Sequence, residues 1–168
     1  MDPILDKARG GQNALERIAN AIPGFRGYRE KELRRDADKL QREHLASRLD
    51  ESKRGLDRLA DRATRGGGLE AINDIETARK RLDRVANRIR YADRGYAGFF
   101  DTVKVDERAL QRVYEFDMAL LEAVEAIRTM LAGAEGAGAA AAVKGAIAEI
   151  DGLDARLSER EAILAGIK

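Results

Sequence analysis

The 168-residue chain has the composition of a protein built from long amphipathic helices, since 36% of its residues are charged, 5% are aromatic and two are proline. The absence of cysteine excludes disulfides, thiolate zinc sites and cysteine nucleophiles, and the lack of a signal peptide or of an apolar run of ~18 residues leads us to expect a cytoplasmic protein. The net charge of +1 combines 24 Lys and Arg against 18 Asp and Glu in residues 1–104 with 7 against 12 in residues 105–168, so we expect a basic half packed beside an acidic half.

An N-terminal helix is predicted to begin with Asp2 as N-cap and Pro3 at its first position. Its apolar residues recur every three or four positions and form a narrow seam: Ile4, Ala8, Gly11, Leu15, Ile18 and Ile22. The helix should end at Pro23 and Gly24. We predict that residues 1–24 form a helical arm beside a bundle of residues 25–168. Within the arm, we predict a surface for a partner formed by Ile4, Leu15, Ile18 and Ile22.

The charged segment 28–64 predicts the longest helix. Residues spaced by three or four positions form one series that ends at His44 and a second series that begins at Leu45. This shift of one residue predicts a change of winding or of packing partner near His44. Three glycines, residues 66–68, then predict a hairpin turn.

The third helix, over residues 69–94, has the most regular pattern. Spacings of four and three alternate without interruption along Ala71, Ile75, Ala78, Leu82, Val85, Ile89 and Ala92, which predicts a buried face. The opposite side carries a basic face, formed by Arg79, Arg81, Arg84, Arg88 and Arg90.

The fourth helix should begin at the N-cap Asp106 and end near residue 132. Its two adjacent apolar stripes predict contact with more than one neighbour, so we expect it to be the central helix. A linker of small residues leads to a last helix with an apolar seam from Val143 to Ile167. Arg160 interrupts that seam, and we expect the end of this helix to fray or to bind a partner.

Half of the aromatic residues lie in residues 90–105. The third helix is shorter than the second, so the chain after it must cross the remaining distance to the end of the bundle. We therefore predict one cluster at that end, formed by Phe25, Tyr28, Tyr91, Tyr96, Phe99, Phe100, Tyr114 and Phe116. We favour a structural role that closes the bundle, with a ligand pocket as the alternative, and expect Phe99 or Phe100 to contact a ring distant in sequence.

Residues for catalysis or metal binding are scarce. His44 is the only histidine, no Glu-x-x-His pair occurs, and the glycine-rich segments lack the lysine of a phosphate loop. We therefore predict no catalytic residue, no metal site and no cofactor. Asp117 shares an apolar stripe with Tyr114 and Leu121, so we expect it to be buried and paired with an arginine from a neighbouring helix.

The fold that these elements predict is an all-α, antiparallel bundle of four long helices with coiled-coil-like seams and an N-terminal helical arm. We expect a non-enzymatic scaffold or adaptor that binds a protein partner, or a second copy of itself, through helix faces. The alternative is a peripheral protein that binds a membrane surface or nucleic acid through the basic hairpin of residues 28–94. Of these two ligands, nucleic acid is the less favoured because acidic residues interleave the arginines.

Overall fold

The protein is an all-α helical bundle. The computed structural model describes residues 3–66, 68–92 and 97–167, and all regular structure in these ranges is helical. The helices are α1 (Pro3–Ala21), α2 (Arg34–Gly66), α3 (Leu69–Arg90), α4 (Ala97–Asp101), α5 (Glu107–Ala132) and α6 (Ala139–Gly166), with 3-10 turns at Lys31–Leu33 and Gly136–Gly138. Within the described ranges, no helix combines the length and the apolarity that crossing a bilayer requires.

Two antiparallel hairpins, α2–α3 and α5–α6, make up the bundle. In the first, Asp57 pairs with Arg79, whereas Asp50, which comes earlier on α2, pairs with Arg90, which comes later on α3. The contacts between α5 and α6 also run in opposite order along the two helices. The hairpin turn predicted from the glycines lies between the end of α2 and the start of α3, with Gly67 outside the described residues.

The two hairpins pack so that helices of different hairpins run in the same direction. Arg81 pairs with Asp151 and Arg88 pairs with Glu161, so α3 lies parallel to α6, and the contacts of α2 with α5 follow the same rule. The start of α2, the end of α3, the start of α5 and the end of α6 therefore meet at one end of the bundle. Helices α3 and α5 are not packed side by side. The chain that leads from α3 to α5 therefore crosses this end of the bundle.

Helix α5 is the central helix, as its broad apolar face predicts. It packs against α1, α2 and α6. Its N-cap is Asp106, whose carboxylate accepts a hydrogen bond from the backbone N–H of Ala109 at 2.8 Å. This bond satisfies one of the amide groups that a helix start leaves unpaired.

The regular apolar pattern of α3 predicts its buried face well. Ile75, Ala78, Leu82, Val85 and Ile89 are all buried in the core. The helix ends at Arg90 rather than near residue 94.

The predicted start of α2 is wrong. The helix begins at Arg34 rather than near residue 28, because Gly24 and Gly27 have φ angles of 85° and 83° and hold a loop before it. Eight of its buried residues follow spacings of three and four: Arg34, Asp38, Gln41, Leu45, Leu49, Ser52, Leu56 and Leu59. Polar residues thus occupy positions of the buried seam where only apolar ones were expected, and the change of winding or of packing partner near His44 stays a prediction.

The prediction that Arg160 interrupts the seam of α6 is also wrong. The helix continues past Arg160 to Gly166. Arg160 is buried in a continuous seam: Val143, Ala146, Ile150, Leu153, Leu157, Arg160 and Leu164. The physical reason is a carboxylate partner inside the bundle, described below.

Candidate functional site

Tyr28 is the centre of an aromatic cluster at the end where the chain crosses over. Its ring, fully buried, meets Phe25 edge-on at 5.5 Å and Phe99 edge-on at 5.4 Å, and stacks on Tyr114 at 5.6 Å, measured between ring centroids. Phe100 contacts Phe99 at 5.3 Å. The expected contact between residues 99–100 and a distant ring is thus present. We call these five residues the aromatic cluster.

Two of the other three aromatic residues, Tyr91 and Phe116, do not belong to this cluster. Tyr91 is 76% exposed, because it follows the last residue of α3 and faces solvent, so its predicted membership is wrong. Phe116 is half-buried on α5 and makes no ring contact within the described part of the chain. Tyr96 lies outside the described residues.

Gly27, in the loop before α2, allows Tyr28 to lie close to Tyr114. Gly27 adopts a φ of 83°, and a Cβ atom there would lie 2.5 Å from Tyr114 Oη. This close approach lets the backbone N–H of Tyr28 donate to Tyr114 Oη at 2.8 Å. The loop and α5 are therefore joined at the point where the rings stack.

Arg34, the first residue of α2, holds the crossover segment to this loop. Its buried guanidinium donates to the backbone carbonyls of Tyr28 at 2.7 Å, Phe99 at 3.2 Å and Thr102 at 2.5 Å. It also lies 5.6 Å from the centroid of the Phe99 ring, where a cation is attracted by the ring face. Burial lowers the pKa of Arg34. The Arg34 side chain thus links the loop before α2 to the crossover segment that contains Phe99 and Thr102.

A buried polar network lies directly beneath the cluster and consists of Tyr28, Asp38, Gln41, Asp117 and Arg160. Asp117 accepts hydrogen bonds from Tyr28 Oη at 2.5 Å and from Arg160 Nε at 2.6 Å. Arg160 Nη2 also donates to Asp38 Oδ1 and to Gln41 Oε1, both at 3.0 Å. The arginine partner predicted for Asp117 is confirmed, and it joins the loop, α2, α5 and α6 at one point.

The charges of this network balance. Its two carboxylates face Arg160 and, on the outer side, Arg42, whose Nε donates to Asp38 at 2.8 Å. Burial, with the Asp117 carboxylate adding to it, raises the pKa of Tyr28 well above its ordinary value. Burial alone would lower the pKa of Arg160, but the nearby anionic groups outweigh it and the pKa is raised well above its ordinary value. Neither group is poised to exchange a proton near neutral pH.

A cavity of about 20 Å³ borders the network between α2, α3 and α6. Gln41 and Arg160 line it, and the buried Nε2 of Gln41 has no hydrogen-bond partner within the described chain. A space of this size holds about one water molecule and no substrate. The network and its cavity therefore have the properties of a structural centre.

Asp38, Gln41 and Arg160 were missed as members of a site. Their positions carried a signal, because each falls on the three- and four-residue spacing of a buried seam. Counting apolar residues alone hides that signal.

The arginines of the predicted basic face of α3 are paired with acidic side chains. Every one of its arginines pairs with at least one carboxylate of α2, α3 or α6: Arg79 with Asp57 and Glu76, Arg81 with Asp151, Arg84 with Asp154, Arg88 with Asp154 and Glu161, and Arg90 with Asp50. The basic α3 is thus packed beside the acidic α6, which matches the charge division of the sequence.

Two of the four residues of the predicted partner surface are buried in the core of the protein. Ile18 and Ile22 are 1% and 2% exposed in the core, because α1 turns this seam toward α5, so they do not form a free surface. Leu15 is half-buried. The side chain of Ile4 lies outside the described part of the structure.

His44 is half-buried on α2, where burial lowers its pKa and the nearby Arg48 adds to that effect. Among the described residues, no group of three or more His, Cys, Asp or Glu side chains is placed to hold a metal ion. No protein-family model, no curated protein and no solved structure matches this chain.

Proposed function

We propose that the protein is a non-enzymatic, cytoplasmic helical scaffold or adaptor that associates with a protein partner, or with a second copy, through helix faces. The observation that carries this proposal is the way α1 is held. It packs chiefly on one helix, α5, through a narrow seam of Ala14, Ile18 and Ile22. The residues between them face solvent: Glu16, Arg17, Ala19 and Asn20.

A helix held in this way can be exchanged for another. Burying an isoleucine contributes about 1.5–3 kcal/mol, whereas Gly10 and Gly11 each cost an α-helix about 1 kcal/mol relative to alanine. The two isoleucines together contribute about 3–6 kcal/mol and the two glycines remove about 2 kcal/mol, so α1 is held on α5 by a few kcal/mol. We expect a partner helix with apolar residues at the same spacing to compete for the same face of α5.

Two other functions have less support. An enzyme needs acid, base or nucleophile groups beside a space for substrate, and the buried network has neither free groups nor such a space. A membrane or nucleic-acid binder that uses the basic face of α3 in the hairpin of residues 28–94 needs uncompensated arginines along that face, and those arginines are engaged by carboxylates.

Exchange of α1 provides the test. A fluorescent peptide of residues 1–24 is titrated with the full chain and with its Ile18→Asp variant, and binding is followed by fluorescence anisotropy. Ile18→Asp should loosen the chain's own α1, so this variant should bind the peptide more tightly than the parent and form larger species in light scattering. Ala19→Asp is the matched control, since it places the same charge one residue away on the exposed side.

The control should behave like the parent chain. If the peptide binds none of the three proteins and all remain monomeric at every concentration, the face of α5 is not a site of exchange. The scaffold proposal would then lose the observation that carries it.

A further inference from the structure

A basic groove lies between α2 and α5, in the half of the bundle away from the aromatic cluster. It is open to solvent, has a volume of about 230 Å³, and is lined chiefly by Glu51, Arg54, Gly55, Arg58, Arg128 and Leu131. Three arginines thus face one carboxylate. None of these arginines belongs to the basic face of α3.

The arginines of this groove are less compensated than those of α3. Arg54 and Arg58 form no ion pair or hydrogen bond with any described residue. Arg128 uses Nε to bind Glu125, which leaves its two terminal amino groups without a described partner. Arg54 and Arg58 stand one helical turn apart, where two like charges destabilise a helix unless an anion lies between them.

Gly55 forms the floor of the groove and is not required by packing. A Cβ atom at this position would meet Leu131 Cβ at 3.6 Å and Arg58 Nη2 at 3.8 Å, which are ordinary contact distances. Alanine would therefore fit and would favour the helix over glycine. The missing side chain instead leaves the space between the guanidinium groups open.

We propose that this groove binds the phosphate group of a phosphorylated ligand, either a free small molecule or a lipid headgroup. A guanidinium offers planar, forked donors that match two oxygens of a phosphate. Arg54 and Arg58 approach such a group from α2, and the terminal amino groups of Arg128 approach it from α5. This site is independent of helix exchange at α1 and goes beyond the scaffold function.

The first experiment titrates inorganic phosphate into the full chain at constant ionic strength, with binding followed by NMR chemical shifts. Arg54→Gln and Arg58→Gln should each weaken binding about tenfold, the usual effect of losing one charge-assisted hydrogen-bonding group. Gly55→Ala should also weaken binding while leaving the helix at least as stable. Arg84→Gln is the matched control, because it removes an arginine from α3, outside the groove, and should leave binding unchanged.

The second experiment identifies the source of the phosphate. The same proteins are mixed with phosphatidylcholine vesicles that contain phosphatidic acid or, at matched surface charge, phosphatidylserine. Binding to free phosphate that depends on Arg58 supports a soluble ligand. Binding only to phosphatidic acid vesicles, again dependent on Arg58, supports a lipid headgroup.

Two results would overturn the proposal. One is the absence of binding both to free phosphate and to phosphatidic acid vesicles. The other is an equal loss of binding in Arg84→Gln and Arg58→Gln, since that would indicate attraction by general positive charge. Circular dichroism of each variant verifies that the bundle is folded.

Discussion

Arg160 Nε donates to Asp117 Oδ1 at 2.6 Å and so joins α6 to α5 by a salt bridge inside the bundle. The Asp117 side chain is fully buried and that of Arg160 is 8% exposed. A buried ion pair loses hydration on both sides, and well-packed apolar residues often match its stability. Its effect here is specific positioning, because only one axial alignment of α5 and α6 brings the two groups together.

Removing Arg160 should be more harmful than removing both members of the pair. Arg160→Met leaves Asp117 buried without its cation and should cost about 3–5 kcal/mol. The double variant Arg160→Met/Asp117→Leu should cost less than Arg160→Met alone, since Asp38 keeps Arg42 as a partner. Urea denaturation of these two variants and of the single variant Asp117→Leu measures the three free energies. Strictly additive costs of the two substitutions would contradict this coupling.

Helix α3 offers a prediction based on its seam. Leu82 is buried in the core, so Leu82→Ala should cost about 2–5 kcal/mol. Arg84, on the exposed side of the helix, pairs with Asp154 at the surface, so Arg84→Ala should cost less than about 0.5 kcal/mol. Chemical denaturation compares the two variants, and equal losses would mean that the buried face is misassigned.

The extent to which sequence predicts this fold depends on what each helix buries. Helix α3 buries apolar residues alone, and its pattern gave the buried face correctly. Helices α2 and α6 place Gln41 and Arg160 in their seams, and a pattern of apolar residues alone includes neither of them. Their partners lie far away, since Arg160 and Gln41 are separated by 119 positions. One sequence contains no signal for such a pairing beyond the spacing itself.

The position of the aromatic cluster at one end of the bundle was predictable, because the third helix is shorter than the second and the chain must cross that end to reach the next helix. The details of the cluster were not. The left-handed φ of Gly27 and the end of α3 at Arg90 decide which rings meet, and both depend on tertiary contacts. Tyr91 was therefore assigned to the cluster although it faces solvent.

Phe99 should be essential for closing this end of the bundle. Its fully buried ring contacts Tyr28 and Phe100, so Phe99→Ala should cost about 3–5 kcal/mol. Tyr91→Ala, at an exposed position just before the crossover, should cost less than about 0.5 kcal/mol. Thermal melts of the two variants compare these effects. If Phe99→Ala melts with the parent, the ring does not close the bundle and binding of a ligand becomes the better account.

Tyr28 should make the stability of the protein fall above pH 10. The phenol ionises near pH 10 in the unfolded chain, while burial raises its pKa well above that value in the folded protein. Its contribution is therefore complete below pH 10 and is lost, at about 1.4 kcal/mol per pH unit, as the pH rises toward the folded pKa. Tyr28→Phe is less stable at neutral pH because it loses the bond to Asp117, but its stability should fall less steeply. Urea denaturation on both sides of pH 10 measures the slopes, and parallel curves would contradict the assignment.

Replacement by alanine should destabilise the protein more at Gly27 than at Gly136, although both glycines have a positive φ angle. Gly27 and Gly136 both have a positive φ, of 83° and 56°, and an L-residue in this region costs about 1–2 kcal/mol. At Gly136 a Cβ atom meets nothing within 4 Å, whereas at Gly27 it lies 2.5 Å from Tyr114 Oη. Gly136→Ala should therefore lose only the backbone cost, while Gly27→Ala also displaces Tyr114 and breaks its hydrogen bond with the Tyr28 amide, worth about 1 kcal/mol more. Urea denaturation gives both losses, and amide hydrogen exchange at Tyr28 should accelerate in Gly27→Ala alone. Equal losses of stability, with unchanged exchange at Tyr28, would show that the loop adapts and that the stacked pair of tyrosines does not depend on this glycine.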